Sequence, residues 1–214
     1  MFSNSFSYLH RRNFKNSIAL LMKHSSSYIH QPSILVAVAD GSEEIEAVTI
    51  VDTLVRGGAK VTLASVNLHS LQVGCSRGIN LVADAFISEC VHKNWDMVVC
   101  PGGMPGAQTL RECSILTEIL SKQHSEGRFI AAICAAPAVV LHNAGIAVDR
   151  KMTCYPSDKF ILELKSSYTN ERVVVDGNVI TSQGPGTALE FSLKLVEVLF
   201  GMKAAEKVAK QMIA

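Results

Sequence analysis

Cys134 is the residue whose type and position most clearly indicate chemistry. It follows an apolar run, residues 129–133, that is typical of a buried strand, and Pro137 stands where a helix would take its first turn. The thiol therefore falls at a strand–helix junction. Unpaired N–H groups and the positive end of a helix dipole favour a thiolate, so we expect a reactive nucleophile with a lowered pKa. The alternative is a buried cysteine that acts as a small hydrophobic residue.

Three glutamates, Glu43, Glu44 and Glu46, open the first predicted helix, residues 43–56. Acidic residues in a first turn have an ordinary structural explanation, because the helix dipole stabilises them. At about 100° per residue, however, Glu43 and Glu44 project onto the apolar face of this helix and Glu46 lies at its edge. A carboxylate that turns inward is usually paired or protonated, as general acids and bases are. Periodicity does not choose among the three.

Two further features bear on the chemistry available to the thiol. Gly102 and Gly103 follow a predicted strand and could present backbone N–H groups to an oxyanion, although a tight turn explains them equally well. His142 is eight residues beyond Cys134 on the same predicted helix, about 12 Å along its axis, which is too far for a Cys–His dyad. A protease or amidotransferase site is therefore disfavoured, and a glutamate is the better partner for Cys134.

Composition indicates one α/β domain with a short extension. The 214 residues are 48% hydrophobic and 18% charged, which is ample for a sizeable core, and the net charge of +1 gives no indication of a nucleic-acid or anionic-membrane partner. The six cysteines form no C-x-x-C pair and have no histidine at zinc-finger spacing. They are typical of reduced thiols in an intracellular protein, and the sequence indicates no metal site.

Residues 1–33 differ from the rest of the chain. They are rich in serine, and the first acidic residue is Asp40. Their basic residues are Arg11, Arg12, Lys15 and Lys23. This composition is typical of a mitochondrial or plastid presequence, and the longest apolar run is too short to span a membrane. We expect a leader at 1–33, mitochondrial localisation and a single domain at 34–214. An untargeted disordered tail of a cytoplasmic protein, or a wrongly assigned start, is the alternative.

Strand and helix patterns alternate along residues 34–214. The expected strands are 34–39, 60–65, 96–100 and 129–133, with a hairpin at 173–175 and 179–182; the expected helices are 43–56, 114–125, 188–200 and 203–212. Ser42 is the expected N-cap of the first helix, and Thr187 with Glu190 the expected capping box of another. The pattern predicts a flavodoxin-like, doubly wound, mostly parallel sheet in the order 2-1-3-4. The loops after strands 1, 3 and 4 would then converge.

Five motifs together resemble the Parkinsonism-associated deglycase family of the ThiJ/PfpI superfamily, and several stretches are nearer to its bacterial chaperone-like branch. The motifs are residues 37–52 (AVADGSEEIEAVTIVD), 75–77 (CSR), 101–103 (PGG), 131–137 (AAICAAP) and 181–187 (TSQGPGT). The resemblance covers residues 34–214, and this combination of motifs is highly specific.

The resemblance implies a flavodoxin-like homodimer and assigns roles to particular residues. It makes Cys134 the peroxide-sensitive nucleophile and Glu46 its partner carboxylate. Backbone amides at Gly102, Gly103 and Ala135 would stabilise an oxyanion. The remaining positions expected in the substrate pocket or the interface are Tyr155, Arg77, Arg56 and Glu44.

The resemblance also implies an activity. It is the glutathione-independent conversion of methylglyoxal-type dicarbonyls to hydroxy acids, or repair of early glycation adducts, with protection against oxidative stress and without any metal or organic cofactor. Neither a nucleic-acid partner nor membrane insertion is expected. Members often carry histidine where this chain has Tyr155, a poor base near neutral pH, so turnover should be slow or depend on Glu46 alone. The alternative is a non-enzymatic, redox-sensing chaperone in which Cys134 oxidises to a sulfinate.

Overall fold

A seven-stranded sheet forms the centre of the domain. The structure, a computed structural model, describes residues 30–146 and 148–214. The strands are β1 (Ser33–Val38), β2 (Lys60–Ser65), β3 (Gln72–Gly74), β4 (Asn80–Val82), β5 (Ala85–Phe86), β6 (Met97–Cys100), β7 (Phe129–Ile133), β8 (Val173–Asp176) and β9 (Val179–Ser182). Seven of them pair in the order β5-β2-β1-β6-β7-β9-β8, and only β8 runs antiparallel to its neighbour. The order β2-β1-β6-β7 confirms the predicted doubly wound arrangement.

Helices cover both faces of this sheet. They are α1 (Glu44–Gly57), α2 (Gly106–Glu112), α3 (Ser114–Ser125), α4 (Asp158–Leu164), α5 (Ala188–Phe200) and α6 (Met202–Met212). A π-helix spans Pro137–His142, and single 3-10 turns span Ile87–Glu89, Lys165–Ser167 and Pro185–Thr187. The β3–β4 pair forms a separate antiparallel hairpin, here called the β3–β4 hairpin. It lies between β2 and β5 in the sequence.

Each face of the sheet has its own apolar core. β1 supplies both, because Leu35 points to one cluster while Ile34 and Val36 point to the other. The first cluster includes Leu110, Leu116 and Leu141 from α2, α3 and the π-helix. The second includes Ile50, Phe191 and Val208 from α1, α5 and α6. A strand buried on both faces must be apolar at consecutive positions, which explains the continuous hydrophobic run of β1.

Two expected helix caps are wrong. The N-cap of α1 is Glu43, whose Oε2 accepts a hydrogen bond from the backbone N–H of Glu46 at 2.8 Å. The hydroxyl of Ser42 instead accepts a hydrogen bond from the backbone N–H of Ala39, at 3.0 Å. At α5, Thr187 Oγ1 accepts from the N–H of Gly184, and Glu190 pairs with Arg172, so the expected capping box is not formed. In each case a neighbouring loop offers the polar side chain a better partner.

The ends of the chain are described only in part. Residues Gln31–Ala214 form one compact unit. The expected leader, residues 1–33, lies outside the described residues except for its last four positions. Within the described ranges, no helix is both long enough and apolar enough to cross a membrane.

Candidate active site

Cys134 occupies a strained turn directly after β7. Its φ of 64° lies in the left-handed region, which costs a residue other than glycine about 1–3 kcal/mol. Two backbone hydrogen bonds hold it there: its N–H donates to the carbonyl of Ser182 at 2.9 Å, and its carbonyl accepts from the N–H of Tyr155 at 2.7 Å. The turn is thus fixed from β9 on one side and from the loop before α4 on the other. This geometry holds the thiol at the carboxyl end of the sheet.

The glycines after β6 are required by the close approach of this turn. A Cβ on Gly102 would lie 2.6 Å from the Cβ of Cys134, far inside van der Waals contact. Gly103 has a φ of 88°, and a Cβ there would collide with the carbonyl of Gly41. The loops after β1, β6 and β7 therefore converge as predicted, with glycine allowing backbone to touch backbone.

Glu46 lies beneath the thiol and is fully buried. Its Oε2 accepts a hydrogen bond from the N–H of Gly102 at 2.7 Å. Its other oxygen, Oε1, is buried without a well-formed hydrogen bond to any described group, and the polar group with which this carboxyl interacts is the thiol of Cys134. Of the three glutamates that the periodicity left open, this is the one placed against the cysteine.

The thiol and the carboxyl perturb each other. The pKa of Glu46 is raised to about 7, mainly by burial and also by the negative charge of Glu43. The hydrogen bond from the N–H of Gly102 acts in the opposite direction. Burial and then the charge of Glu46 raise the pKa of Cys134 to about 12, while the N–H groups of Gly103 and Ala135 act in the opposite direction. The expected lowering of the thiol pKa is therefore wrong. The helix begins only at Pro137, and the desolvated sulfur lies beside an acid.

The pair consequently titrates as a unit. The first of its two protons leaves near pH 7, and the second is retained over the physiological range. The singly ionised pair can exist as thiol with carboxylate or as thiolate with carboxylic acid. The second form is the nucleophilic one, and the N–H groups of Gly103 and Ala135 stabilise it at the sulfur.

The expected oxyanion donors need one correction. The N–H of Gly102 is already donated to Glu46, so it is not directed at the cavity. The N–H groups of Gly103 and Ala135 interact with the sulfur of Cys134, and both residues line the cavity. These two amides remain the candidate donors to an oxygen that develops charge beside the sulfur.

An open cavity of about 240 Å³ lies above the thiol. It is lined by Glu43, Ser76, Arg77, Gly103, Met104, Cys134, Ala135, Tyr155, Phe160 and Pro185. Arg77 and Tyr155 are thus in the pocket, as the resemblance implied. Among the described residues, no histidine lines this cavity.

Two of the residues expected in the pocket or the interface do not line the cavity. Glu44 does not line the cavity; it accepts hydrogen bonds from the hydroxyl of Ser76 at 3.0 Å and from the N–H of Arg77 at 2.8 Å, and so holds the turn of the β3–β4 hairpin in place. Arg56 is in the last turn of α1, where it forms an exposed i,i+4 ion pair with Asp52. It is not a pocket residue.

Sequence reasoning missed several cavity residues. Ser76 appeared in a quoted motif without a role, Glu43 appeared only as one of three candidate acids, and Met104 simply follows the two glycines. Pro185 could have been found, because the loop after β9 adjoins the loop after β7. Phe160 had no usable signal, since α4 is a seven-residue helix in an irregular stretch. Among the described residues, no group of three or more His, Cys, Asp or Glu side chains could hold a metal ion.

Comparison with known proteins identifies the family. Residues 32–198 match the DJ-1/PfpI family. Protein DJ-1 homolog B of Arabidopsis thaliana is 40% identical over 205 residues, 96% of this chain but 45% of the relative, so the chain spans about half the length of the first such relatives it matches. The glutathione-independent glyoxalase DJR-1.2 of Caenorhabditis elegans is 36% identical over 178 residues, 83% of this chain and 94% of that protein.

The solved structures agree. Oxidised Toxoplasma gondii DJ-1 superposes with a TM-score of 0.82 at 43% identity, over 85% of this chain and 98% of its own. Matching sequence, matching fold and a matched span of most of the domain lead to one conclusion: this chain belongs to the DJ-1/PfpI family.

Proposed function

We propose that this protein is a cysteine-dependent, cofactor-independent glyoxalase that converts methylglyoxal-type α-oxoaldehydes to hydroxy acids. The observation that carries the proposal is the partly exposed thiol of Cys134, which lines an open cavity, against the buried carboxyl of Glu46, with the N–H groups of Gly103 and Ala135 directed at the sulfur. The glyoxalase name of the Caenorhabditis elegans relative supports the same reaction class.

The first step would use the shared proton of the pair. Glu46 takes the thiol proton, and the sulfur of Cys134 attacks the aldehyde carbon. The carbonyl electron pair moves to the aldehyde oxygen, which then receives the proton from Glu46, and the product is a hemithioacetal. The N–H groups of Gly103 and Ala135 stabilise the oxygen while it carries negative charge.

The second step would move hydrogen between the two substrate carbons. Glu46 removes the proton from the carbon bonded to sulfur, which gives an enediol, and a proton is returned to the neighbouring carbon to give a thioester. Water then cleaves the carbon–sulfur bond and releases the hydroxy acid and the free thiol. The overall change is addition of one water to the α-oxoaldehyde, and no external oxidant or reductant is consumed.

Tyr155 occupies the position where the family resemblance would lead us to expect histidine. Its phenol is a weak acid and can donate a hydrogen bond to a substrate oxygen, but it is a poor base near neutral pH. Proton transfer therefore falls to Glu46, for which a pKa of about 7 is well matched to neutral conditions.

The decisive experiment measures lactate formed from methylglyoxal by the purified protein and its Cys134→Ser variant. The variant should lose activity by a factor on the order of 10³ or more. Cys113→Ser is the matched control, because Cys113 is the other partly exposed cysteine of the described chain. Lactate formation that survives in Cys134→Ser would refute the proposal. The same variants can be assayed on early glycation adducts, which present a related carbonyl to the same thiol.

A second function is favoured by the exposure of the sulfur. Cys134 is partly exposed, whereas Cys75, Cys90, Cys100 and Cys154 are buried. A protonated Glu46 could donate a hydrogen bond to a sulfinate at Cys134, which would stabilise that oxidation state. We therefore infer an alternative role as a redox-sensing protein with chaperone activity.

Mass spectrometry after mild peroxide treatment tests this alternative. The expected result is a selective addition of two oxygens at Cys134, which becomes less selective in Glu46→Gln. Equal oxidation of Cys113 and Cys134 would contradict a sensor role, because it would show that exposure alone decides which thiol reacts.

We also propose that the chain forms a homodimer through α1 and the β3–β4 hairpin. These elements share a small core of Val38, Ala47, Val73 and Cys75, and their outer surfaces expose large apolar side chains. The exposed residues are Ile45, Val48, Val55, Ile79 and Val82. Apolar surface of this kind is typical of an interface. Light scattering should show a dimer for the native protein and a shift to monomer for Val48→Lys, whereas Leu162→Lys on α4 should leave the mass unchanged.

A further inference from the structure

The cavity above Cys134 has two chemically different sides. Glu43, Ser76 and Arg77 are polar or charged and come from the start of α1 and the β3–β4 hairpin. They form one connected group, because Glu44 binds both Ser76 and Arg77 and the N–H of Ser76 donates to the carbonyl of Ser42. This polar side is held rigidly at one flank of the thiol.

The apolar residues of the lining, here called the apolar wall, are Met104, Tyr155, Phe160 and Pro185. The N–H of Tyr155 binds the carbonyl of Cys134, which places this residue directly beside the nucleophile. Its ring packs on the backbone of Gly184, where a Cβ would lie 3.4 Å from ring atom Cδ2, next to Pro185. Phe160 is 9% exposed, with its accessible part at the cavity, and Met104 follows Gly103.

The size of the cavity exceeds what methylglyoxal needs. At about 30 Å³ for each non-hydrogen atom, the volume share of a water molecule, methylglyoxal occupies about 150 Å³. The cavity holds about 240 Å³. Room remains for a few more carbon atoms when the aldehyde carbon is in contact with the sulfur of Cys134.

From these observations we propose that the preferred substrates are α-oxoaldehydes with a branched apolar substituent of about four carbon atoms, which packs on the apolar wall of Met104, Tyr155, Phe160 and Pro185. The inference rests on the proposed glyoxalase function and specifies the substrate class of the same site. The substituent extends from the ketone carbon away from the sulfur. An apolar substituent would be unfavourable beside the charged side chains of Glu43 and Arg77. It therefore packs on the apolar wall, and the substrate oxygens face the polar residues.

The test compares kcat/KM for methylglyoxal with that for 4-methyl-2-oxopentanal, which carries an isobutyl group in place of methyl. The native protein should prefer the larger aldehyde by at least about 10-fold, since each added carbon is removed from water on the apolar wall. Met104→Ser and Tyr155→Ser should lower this ratio towards one. Both side chains are substantially exposed, at 45% and 47%, so the variants are expected to fold.

Leu162→Ser is the matched control. Leu162 is on the same helix as Phe160, but it is 72% exposed and is not among the residues that line the cavity. Its substitution should leave the kcat/KM ratio unchanged. A native ratio at or below one, with methylglyoxal still turned over, would overturn the substrate preference and leave the glyoxalase function standing.

A binding measurement separates the two proposals if neither aldehyde is consumed. That outcome would refute the glyoxalase function, and the apolar wall would then be tested by protection of Cys134 against iodoacetamide. 2-Hydroxy-4-methylpentanoate should protect at a concentration at least about 10-fold lower than lactate does, and Tyr155→Ser should abolish the difference. Equal protection by the two acids would overturn the inference.

Discussion

Two cysteines end neighbouring strands of the sheet, and only one of them has the surroundings of a reactive thiol. Cys100 is the last residue of β6 and Cys134 follows the last residue of β7. Burial raises the pKa of each to about 12, as the leading cause in both. Cys100 is fully buried, whereas Cys134 is partly exposed, in a left-handed turn, beside Glu46 and the N–H groups of Gly103 and Ala135.

The pKa of the thiol alone therefore does not distinguish Cys134 from Cys100. Desolvation raises the pKa of both sulfurs, so the chemistry must come from what surrounds Cys134. A neighbouring acid can accept its proton, two amides can stabilise its charge, and a cavity gives a substrate access. Each of these features can be removed separately, and each removal makes Cys134 more like Cys100.

The largest effect is expected for Glu46→Gln. Loss of the proton acceptor should lower kcat/KM for methylglyoxal by about 10²–10⁴-fold. In the native protein, kcat/KM and the alkylation rate of Cys134 should rise with pH through about 7, as Glu46 ionises, and this step should vanish in the variant. Glu118→Gln, at an exposed position of α3, is the control. A pH step that persists without Glu46 would show that another group activates the thiol.

The pH dependence of stability should change in the same variant. The pKa of Glu46 is raised from an ordinary 4.5 to about 7, so its favourable contribution is complete below about pH 4.5 and is lost as pH rises through 7. The native protein should therefore lose about 3 kcal/mol of unfolding free energy over this range on account of Glu46. Urea unfolding at pH 4.5 and pH 8 should show a correspondingly smaller decrease for Glu46→Gln. An identical decrease would mean that Glu46 is not desolvated.

Gly102→Ala should distort the turn of Cys134. The new methyl group would lie 2.6 Å from the Cβ of Cys134, and overpacking of this kind costs about 1–3 kcal/mol of stability. Displacement of the thiol should also reduce kcat. Gly186→Ala is the control, because no described heavy atom lies within 4 Å of a Cβ at that position. If Gly102→Ala were as stable and as active as Gly186→Ala, the close packing of the two loops would be refuted.

The smallest effect is expected for Cys100→Ala. Removal of one buried sulfur from the core should cost about 1 kcal/mol of unfolding free energy, without change in the alkylation rate of Cys134 or in turnover. Thermal unfolding and an alkylation time course measure both. A loss of activity like that of Cys134→Ser would contradict the assignment of Cys100 to the core.

The regular elements were predictable because local patterns determine them. α3 and β7 begin and end where the apolar periodicity places them, and the strand order follows from alternating buried strands and helices. The caps were not predictable in the same way. The hydroxyls of Ser42 and Thr187 could each cap the helix that follows. Each hydroxyl instead accepts a hydrogen bond from a backbone N–H of the loop before it, and residue type alone does not decide between these two partners.

From the sequence, the site was predictable only as a set of loops that converge at the ends of neighbouring strands. Sequence placed Cys134, Gly102 and the glutamates at converging strand ends, but the selection of Glu46 depended on resemblance, because three acids fit the helical period. That Gly102 donates its N–H to Glu46, and not to a substrate oxygen, depends on contacts between residues 56 positions apart. The direction of the thiol pKa depends on desolvation, which a sequence pattern does not reveal.

Tyr155 has two chemically independent roles, one for its backbone and one for its side chain. The backbone N–H fixes the carbonyl of Cys134, while the phenol ring forms part of the apolar wall. Any residue except proline can supply that N–H, so the side chain at this position can be exchanged while the nucleophile stays anchored. Under the proposed function, position 155 is therefore a natural point at which substrate scope can diversify between relatives, or be re-engineered, without moving Cys134 and Glu46.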